Sequence, residues 1–386
     1  MIASVLLIWL LAAVVFLGGQ HGFATRRTHQ YAILVGGLVL IAVALPSLWM
    51  TVGLLWFAWH VTRVYAHDRC TGEIELLAKV TAAWGGILAA WLLTDVSTIN
   101  FTLNGLLLLT VPWAIWTLIS QFRFPSRYER WIGPVCVHEE DPKHVMVGQG
   151  NINHTEAVSA ILAAVSLGLT ASSTVAWVGV LCAILPMLCE RWNSRKASQG
   201  DVYMGILGLS WLLHHGWVTW WLLVLAAIVF AISYRREISP RLALIIEWWK
   251  RYALLSPWQQ IGGAGIHAWS RTTLADARPG TTKQALSIHP HNEWLSVLYE
   301  YGVLGAVCLV GTVAALLWNV REDWALFNYG LMLCVVACLQ APWTFYLEFR
   351  VEQVYPNGQV FKLTQTHGNV ALNVLSAIWL VLALRA

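Results

Sequence analysis

The chain has 386 residues, of which 58% are apolar and only 11% carry a formal charge, about half the charged share of a typical soluble domain. This composition excludes an ordinary soluble globule. The net charge of +4 is spread over many short polar stretches, whereas a nucleic-acid-binding face needs a concentrated basic stripe, so no nucleic-acid partner is expected. The seven cysteines form no CxxC pair and predict neither a metal site nor a disulfide framework.

The apolar residues occur in blocks of about 17 to 22 residues, the length that crosses a hydrocarbon core roughly 30 Å thick. We therefore predict an all-α polytopic membrane protein with a single membrane domain over residues 1–386. The first block is interpreted as a retained span because it lacks a basic leading region and a cleavage site. Twelve spans are predicted, at residues 2–18, 31–47, 49–65, 76–94, 101–120, 157–171, 172–189, 202–214, 217–233, 295–318, 325–346 and 369–385.

Twelve spans place the two longest loops, 121–156 and 234–292, on the same side of the membrane. By the same count, 22 of the 24 Lys and Arg residues lie on that side, which the positive-inside rule assigns to the cytoplasm. A face that binds phosphate would be rich in arginine as well, so charge alone leaves the orientation open. The loop 234–292 contains an amphipathic segment, 242–255, with Trp248 and Trp249, and we expect it to lie along the interface in contact with membrane lipids.

The sharpest local signal precedes the tenth predicted span and includes His289 and His291. If a helix begins near Asn292, then Asn292, Ser296 and Glu300 are spaced i, i+4 and i+8 and share one face. A polar strip that enters lipid requires a reason. A helix cap that binds headgroup water is one interpretation. A histidine at a water-filled membrane mouth also suits a general base, because its pKa lies near neutral pH.

Four further motifs lie in loops on the same predicted side, and each is ordinary by itself. The glycine-rich stretch among them lacks the strand and helix context of a nucleotide fingerprint, so dinucleotide binding is rejected. In chain order the motifs are Gly150-Asn151-Ile152-Asn153, Ser194-Arg195, Arg241 ahead of the amphipathic segment, and Gly263-Ala264-Gly265.

Together with His291-Asn292, Glu300, Gly302 and Gly305, the order of these motifs resembles the O-antigen ligase and O-antigen polymerase family. The resemblance covers residues 148–318. It implies a GT-C-like membrane enzyme that moves a glycan from a polyprenyl-pyrophosphate carrier to an acceptor hydroxyl, with inversion and without a metal or a cofactor. It further implies a multi-pass protein of the bacterial inner membrane, with the loop 234–292 and the active face on the periplasmic side.

The resemblance also implies roles for individual residues. Arg195 and Arg241 would bind the pyrophosphate, and His291 would accept or orient the proton of the acceptor. In that family, fewer residues separate the loop arginine from a tryptophan than separate Arg241 from Trp248. The role of Arg241 is therefore open, with Arg235 or Arg236 as a substitute. The residues implied to bind substrate are Asn151, Asn153, Gly263, Gly265, His289, Asn292 and Glu300.

Several functions remain open at this point. An O-antigen ligase, which would use the lipid A core as acceptor, is favoured slightly over a polysaccharide polymerase. A lipid-linked glycan flippase or other transporter would place its functional charges near the membrane midplane, whereas the notable residues here lie at span ends and in loops. A noncatalytic membrane scaffold would leave His291 and Arg195 dispensable.

Overall fold

A computed structural model describes the parts of the chain that carry most of the predicted spans, and these parts are mostly helical. The described residues are 2–17, 35, 96–123, 130–132, 135–137, 152–194, 198–217, 235–265, 268–269, 272, 292–340, 348–354, 360–366 and 370–386. The helices are α1 (Ile2–Leu17), α2 (Val96–Arg123), α3 (Ile152–Leu169), α4 (Ala176–Ser194), α5 (Gln199–His214), α6 (Arg235–Ala253), α7 (Pro257–Gly262), α8 (Glu293–Asn319), α9 (Trp324–Leu339) and α10 (Val370–Arg385).

Eight of the predicted spans coincide with helices, namely with α1 to α5 and α8 to α10. Their ends differ by a few residues from the prediction, most at α9, which ends at Leu339 where the predicted span continues to 346. The predicted spans at 31–47, 49–65, 76–94 and 217–233 lie outside the described residues, apart from the single residues 35 and 217. The total of twelve therefore stays a prediction.

Short strands add to the helices in two segments that the sequence predicts as loops. β1 (Arg130–Ile132) pairs antiparallel with β2 (Val135–Val137). β3 (Glu348–Val354) pairs antiparallel with β4 (Val360–Thr366), with Val351 opposite Leu363. The chain between β3 and β4 contains Pro-Asn-Gly, a sequence typical of turns. The class is thus mainly helical with two small hairpins in connecting segments.

Helix α3 is the centre of the described bundle. Every residue from Ala157 to Val165 is fully buried, and many of them are Ala or Ser, which let neighbouring helices approach closely. Gly168 of α3 lies against the backbone of Ala325 in α9, so that any side chain at position 168 would collide with it. Because α3 is buried on all sides, its sequence has no large polar face.

Buried polar side chains join α3 to its neighbours. The Trp113 Nε1 group of α2 donates to Ser159 Oγ at 2.9 Å. Asn328 of α9 is 1% exposed; its amide donates to the Ala164 carbonyl at 2.8 Å, and its Oδ1 accepts from Ser210 Oγ of α5 at 2.7 Å. A buried amide with both ends bonded fixes the relative depth of three helices, because a slip of any one helix would break a bond in a low-dielectric interior.

Two of the described helices have the length and composition to cross a membrane, α2 over Ile99–Ile119 and α8 over Glu293–Asn319. Both expose large apolar side chains along their length, among them Leu108 and Ile115 on α2 and Leu304 and Val307 on α8. An apolar surface of this extent is unusual for a soluble monomer. These two candidate spans favour a membrane protein.

Candidate functional site

Five helix ends meet at one end of the bundle, which we call the motif end. The Gln340 amide, just past α9, donates to Gln199 Oε1 at the start of α5, at 2.8 Å. The Asn292 amide, at the start of α8, donates to the Cys338 carbonyl of α9 at 3.2 Å. Gly200 of α5 lies against Glu156 near the start of α3 and against Met187 near the end of α4. The motif end therefore consists of the starts of α3, α5 and α8 and the ends of α4 and α9.

Asn292 is the N-cap of α8, in agreement with one of the two interpretations of its sequence. Its backbone is extended, with φ −158° and ψ 112°, and its side-chain oxygen accepts from the Leu295 N–H at 3.0 Å, satisfying one of the unpaired donors of the first turn. The same side chain reaches α9 through its amide. Asn292 thus fixes where α8 begins and how that beginning sits beside the end of α9.

The predicted polar strip does share one face of α8, and that face points into the protein. Ser296 is 2% exposed and Glu300 is 4% exposed, and Glu293 in the first turn is fully buried. The Ser296 hydroxyl donates to the Asn292 carbonyl at 3.2 Å. Acidic side chains buried on a helix long and apolar enough to span a membrane commonly mark functional sites, so Glu293 and Glu300 are candidates for a functional role.

The glycine-rich turn docks onto a kink in α8, and this contact brings two of the sequence motifs together. Gly302 interrupts α8 with φ 68° and ψ −171°. The N–H groups of Ala264 and Gly265 donate to the carbonyls of Tyr299 and Glu300, each at 3.0 Å. Without these bonds the break in the helix would leave the two carbonyls without a donor. A hypothetical Cβ at Gly263 would collide with the Glu300 carbonyl oxygen. Glycine is required here by both conformation and space.

Helix α6 packs on the first turns of α8 through an aromatic cluster. The Trp248 Nε1 group donates to the Leu295 carbonyl at 3.0 Å. Trp269 meets Tyr299 edge to face with ring centroids 5.4 Å apart. The Arg251 guanidinium lies 5.1 Å from the centre of the Trp269 ring and bonds Glu247 at 3.0 Å. The segment that the sequence singles out as amphipathic is therefore anchored at the motif end by its Trp248 face.

The opposite face of α6 is exposed and apolar. Ile245, Ile246 and Trp249 are between 41% and 62% exposed, and Lys250 beside them is exposed as well. This division into a packed aromatic face and an open apolar face agrees with the amphipathic character of the segment. Contact of the open face with lipid remains a prediction.

Buried acids form a junction that sequence reasoning missed. Glu156 of α3 is fully buried and Glu190 of α4 is 2% exposed. Asp201 of α5 accepts from the Ser198 N–H at 3.0 Å and pairs with Arg191 at 3.7 Å. The sequence carries a weak signal for this junction, since Glu156 and Glu190 stand at the borders of apolar blocks, but nothing in it shows that those borders meet.

The residues predicted to do the chemistry fall partly outside the described chain. Arg195, His289, His291 and Asn151 lie outside the described residues. Three of them are sequence neighbours of the motif end, since Asn151 precedes α3, Arg195 follows α4 and His291 precedes Asn292. The other predicted residues are described: Asn153 is half-buried in the first turn of α3, Arg241 lies in α6, and Asn292, Gly263, Gly265 and Glu300 are placed as above.

The described residues contain no group of three or more His, Cys, Asp and Glu side chains arranged to hold a metal ion. A metal-independent reaction nevertheless stays a prediction, because several of the polar loops lie outside that part of the chain.

No protein-family model matches the chain, and no curated protein matches it. The resemblance to the O-antigen ligase and polymerase family therefore rests on the motifs themselves.

Proposed function

We propose that the chain is a multi-pass membrane glycosyltransferase, which moves a glycan from a polyprenyl-pyrophosphate carrier to an acceptor hydroxyl. The observation that carries the proposal is the motif end. Asn153, Ser194 and Asn292 stand on helix ends that contact one another directly or through a common neighbour. The turn of Gly263 to Gly265 docks on α8 beside the kink at Gly302.

The position of these motifs suits chemistry on an amphiphilic substrate. A lipid-linked donor keeps its isoprenoid chain in the bilayer and its pyrophosphate at the surface, so the reacting bond lies where membrane helices end. The open apolar face of α6 and the exposed side chains of α8 supply surface for the lipid chain. The notable polar residues are at the motif end, whereas a transporter of the inverted-repeat type would have its binding site near the midplane.

The reaction is a displacement at the anomeric carbon. The acceptor oxygen forms a bond to that carbon with inversion, the bond to the pyrophosphate oxygen breaks, and the pyrophosphate leaves with the electron pair. His291 takes the proton of the acceptor hydroxyl. Arg195 and a loop arginine, Arg241 or one of its neighbours Arg235 and Arg236, bind the leaving group, because guanidinium groups are permanently charged and match phosphate oxygens in a bidentate manner.

Asn292 and Glu300 position His291 in this proposal. Asn292 is held by the cap on α8 and the bond to α9, so the residue just before it is tethered to a fixed point. Glu300 is buried on the same face of α8, beneath the docked turn of Gly263 to Gly265. A rigid frame of this kind is what a transfer reaction requires, since small misplacements of a catalytic group cost much of the rate.

The proposal assigns the protein to the bacterial inner membrane with the motif end on the periplasmic side. A tag inserted in the loop 234–292 tests this orientation. The tag should be accessible to a membrane-impermeant reagent added to intact spheroplasts, and a tag reached only after lysis would place the loop in the cytoplasm and end the assignment.

Deletion of the gene tests the activity and separates its two forms. An electrophoretic gel of surface polysaccharide from the deletion strain should show either unattached polymer beside free lipid A core, which indicates a ligase, or core that carries one repeat unit, which indicates a polymerase. We favour the ligase. An unchanged polysaccharide pattern would contradict both forms.

A further inference from the structure

Glu156 is a buried titratable group at the motif end that the proposed reaction does not use. It lies in the second turn of α3 and is fully buried. The first turn of α5 rests directly on it, because Gly200 has no side chain. A Cβ at that position would lie 2.7 Å from Glu156 Oε1, too close for an ordinary contact. The seam between α3 and α5 is thus built around this carboxyl group.

The carboxyl group has little compensation for a negative charge. Among the described residues, no donor reaches hydrogen-bonding geometry with either of its oxygens. The Ser198 hydroxyl and the Gly200 N–H are the polar groups near enough to favour the charged form, and they do so only in part. An ionised carboxylate in such surroundings is far more costly than a neutral acid.

The charges around Glu156 are mostly of the wrong sign to hold it ionised. Glu190 of α4 and Asp201 of α5 both oppose a further negative charge. Arg191 of α4 is a cation, but it pairs with Asp201 at 3.7 Å and its side chain is half-exposed. The titratable side chains described on the adjoining stretches of the packed helices are His154 (α3), Cys189, Glu190 and Arg191 (α4), Asp201 (α5) and Cys338 (α9).

Burial raises the pKa of Glu156 from its ordinary value of 4.5 to about 8. The nearby Ser198 and Gly200 groups lower this pKa in part, and the charges of Glu190 and Asp201 raise it further. The carboxyl group therefore carries its proton at pH 7, since the pKa lies above that pH.

We propose that Glu156 is a proton-binding positioning residue, whose neutral carboxyl seats the start of α5 on α3 and whose ionisation loosens that seam. The step is a simple loss of a proton to solvent. Ionisation adds a negative charge beside Glu190 and Asp201, and the first turn of α5 is the element that lies directly against it. The connection from α4 to α5 contains Arg195, so alkaline pH also slows glycan transfer, a consequence that rests on the proposed function.

Infrared spectroscopy tests the proton site without any glycan substrate. The purified full-length protein in detergent is titrated from about pH 6 to about pH 10, and the carbonyl stretch of protonated carboxylic acids is followed. We expect a band at pH 7 that disappears with a midpoint of about 8 and is absent in Glu156→Gln. The matched control is Glu322→Gln, which alters a carboxylate that is 84% exposed and should leave the band unchanged.

Two further measurements test the coupling to structure. Glu190→Gln removes one neighbouring negative charge and should move the midpoint to lower pH. Amide hydrogen exchange in the first turn of α5, corrected for the intrinsic pH dependence of exchange, should accelerate above the midpoint in the wild type and not in Glu156→Gln. If Glu156→Gln does not fold, the wild-type titration and the Glu190→Gln shift decide the question.

Several results would overturn the proposal. They are the absence of a protonated-acid band at pH 7, a band that Glu156→Gln leaves in place, or exchange in α5 that is indifferent to the titration. A failure of glycan transfer with an intact band would instead count against the proposed function alone.

Discussion

Gly263→Ala is the substitution for which the structure gives the clearest expectation. Gly263 has φ 93° and ψ 156°, a region that is nearly exclusive to glycine, and an added Cβ would collide with the Glu300 carbonyl oxygen. Because that obstacle is backbone, no side-chain rotation relieves it. The turn must either accept the strain or leave α8.

The magnitude follows from what the turn would lose. The backbone strain alone costs about 1–3 kcal/mol. Release of the turn gives up the hydrogen bonds from the Ala264 and Gly265 N–H groups, each contributing about 0.5–1.5 kcal/mol. These bonds are lost on release in wild type and variant alike, so the substitution weakens docking by the strain, about 1–3 kcal/mol. This corresponds to about a 5- to 150-fold change in the docking equilibrium.

Amide hydrogen exchange of the segment 255–265 measures this change, and Gly262→Ala is the matched control. Gly262 is adjacent and exposed, and a Cβ there meets nothing within 4 Å, so its substitution should alter stability by no more than about 0.5 kcal/mol. We expect exchange of the docked amides to rise at least about fivefold in Gly263→Ala and to stay unchanged in Gly262→Ala. Equal protection in the two variants would refute the docking described here.

The remaining predictions concern single side chains. Asn292→Asp keeps the cap on α8 but loses the amide bond to Cys338, whereas Asn292→Ala loses both, and loss of the cap costs about 0.5–2 kcal/mol. In thermal unfolding Asn292→Asp should therefore destabilise the protein less than Asn292→Ala. The reverse order would contradict the cap. Asn328→Leu removes two buried hydrogen bonds and should lower stability by about 1–3 kcal/mol, whereas Asn104→Ala on the exposed face of α2 should have little effect. Arg195→Lys keeps the charge but not the bidentate geometry, so transfer should be impaired; full activity would reduce Arg195 to a determinant of topology.

The helices were largely predictable because their signals are local. Blocks of apolar residues mark the helices, and the eight predicted spans that fall in the described chain coincide with them. Given a helix that begins near Asn292, the spacing from Asn292 to Glu300 also predicts their shared face. These features depend on residues within a few turns of one another.

The contacts between motifs were not predictable, because they depend on tertiary packing. Nothing local to Gly302 shows that its kink accepts the turn at Gly263. Likewise, the sequence shows Glu156 only as a polar residue at a span border. Gly200, which lets α5 lie directly against Glu156, belongs to another helix. The segment of β3 and β4 was predicted as a loop, whereas the structure pairs it as a hairpin.

The proposed glycan transfer depends on His291, and the kinetics of His291→Ala test that role most directly. Purified wild-type and variant proteins would be compared with a polyprenyl-pyrophosphate-linked glycan donor and a hydroxyl acceptor, after unfolding temperatures have shown that both are folded. If His291 is the general base, turnover should fall by roughly 10²- to 10⁴-fold in the variant. Wild-type turnover in His291→Ala would contradict the account.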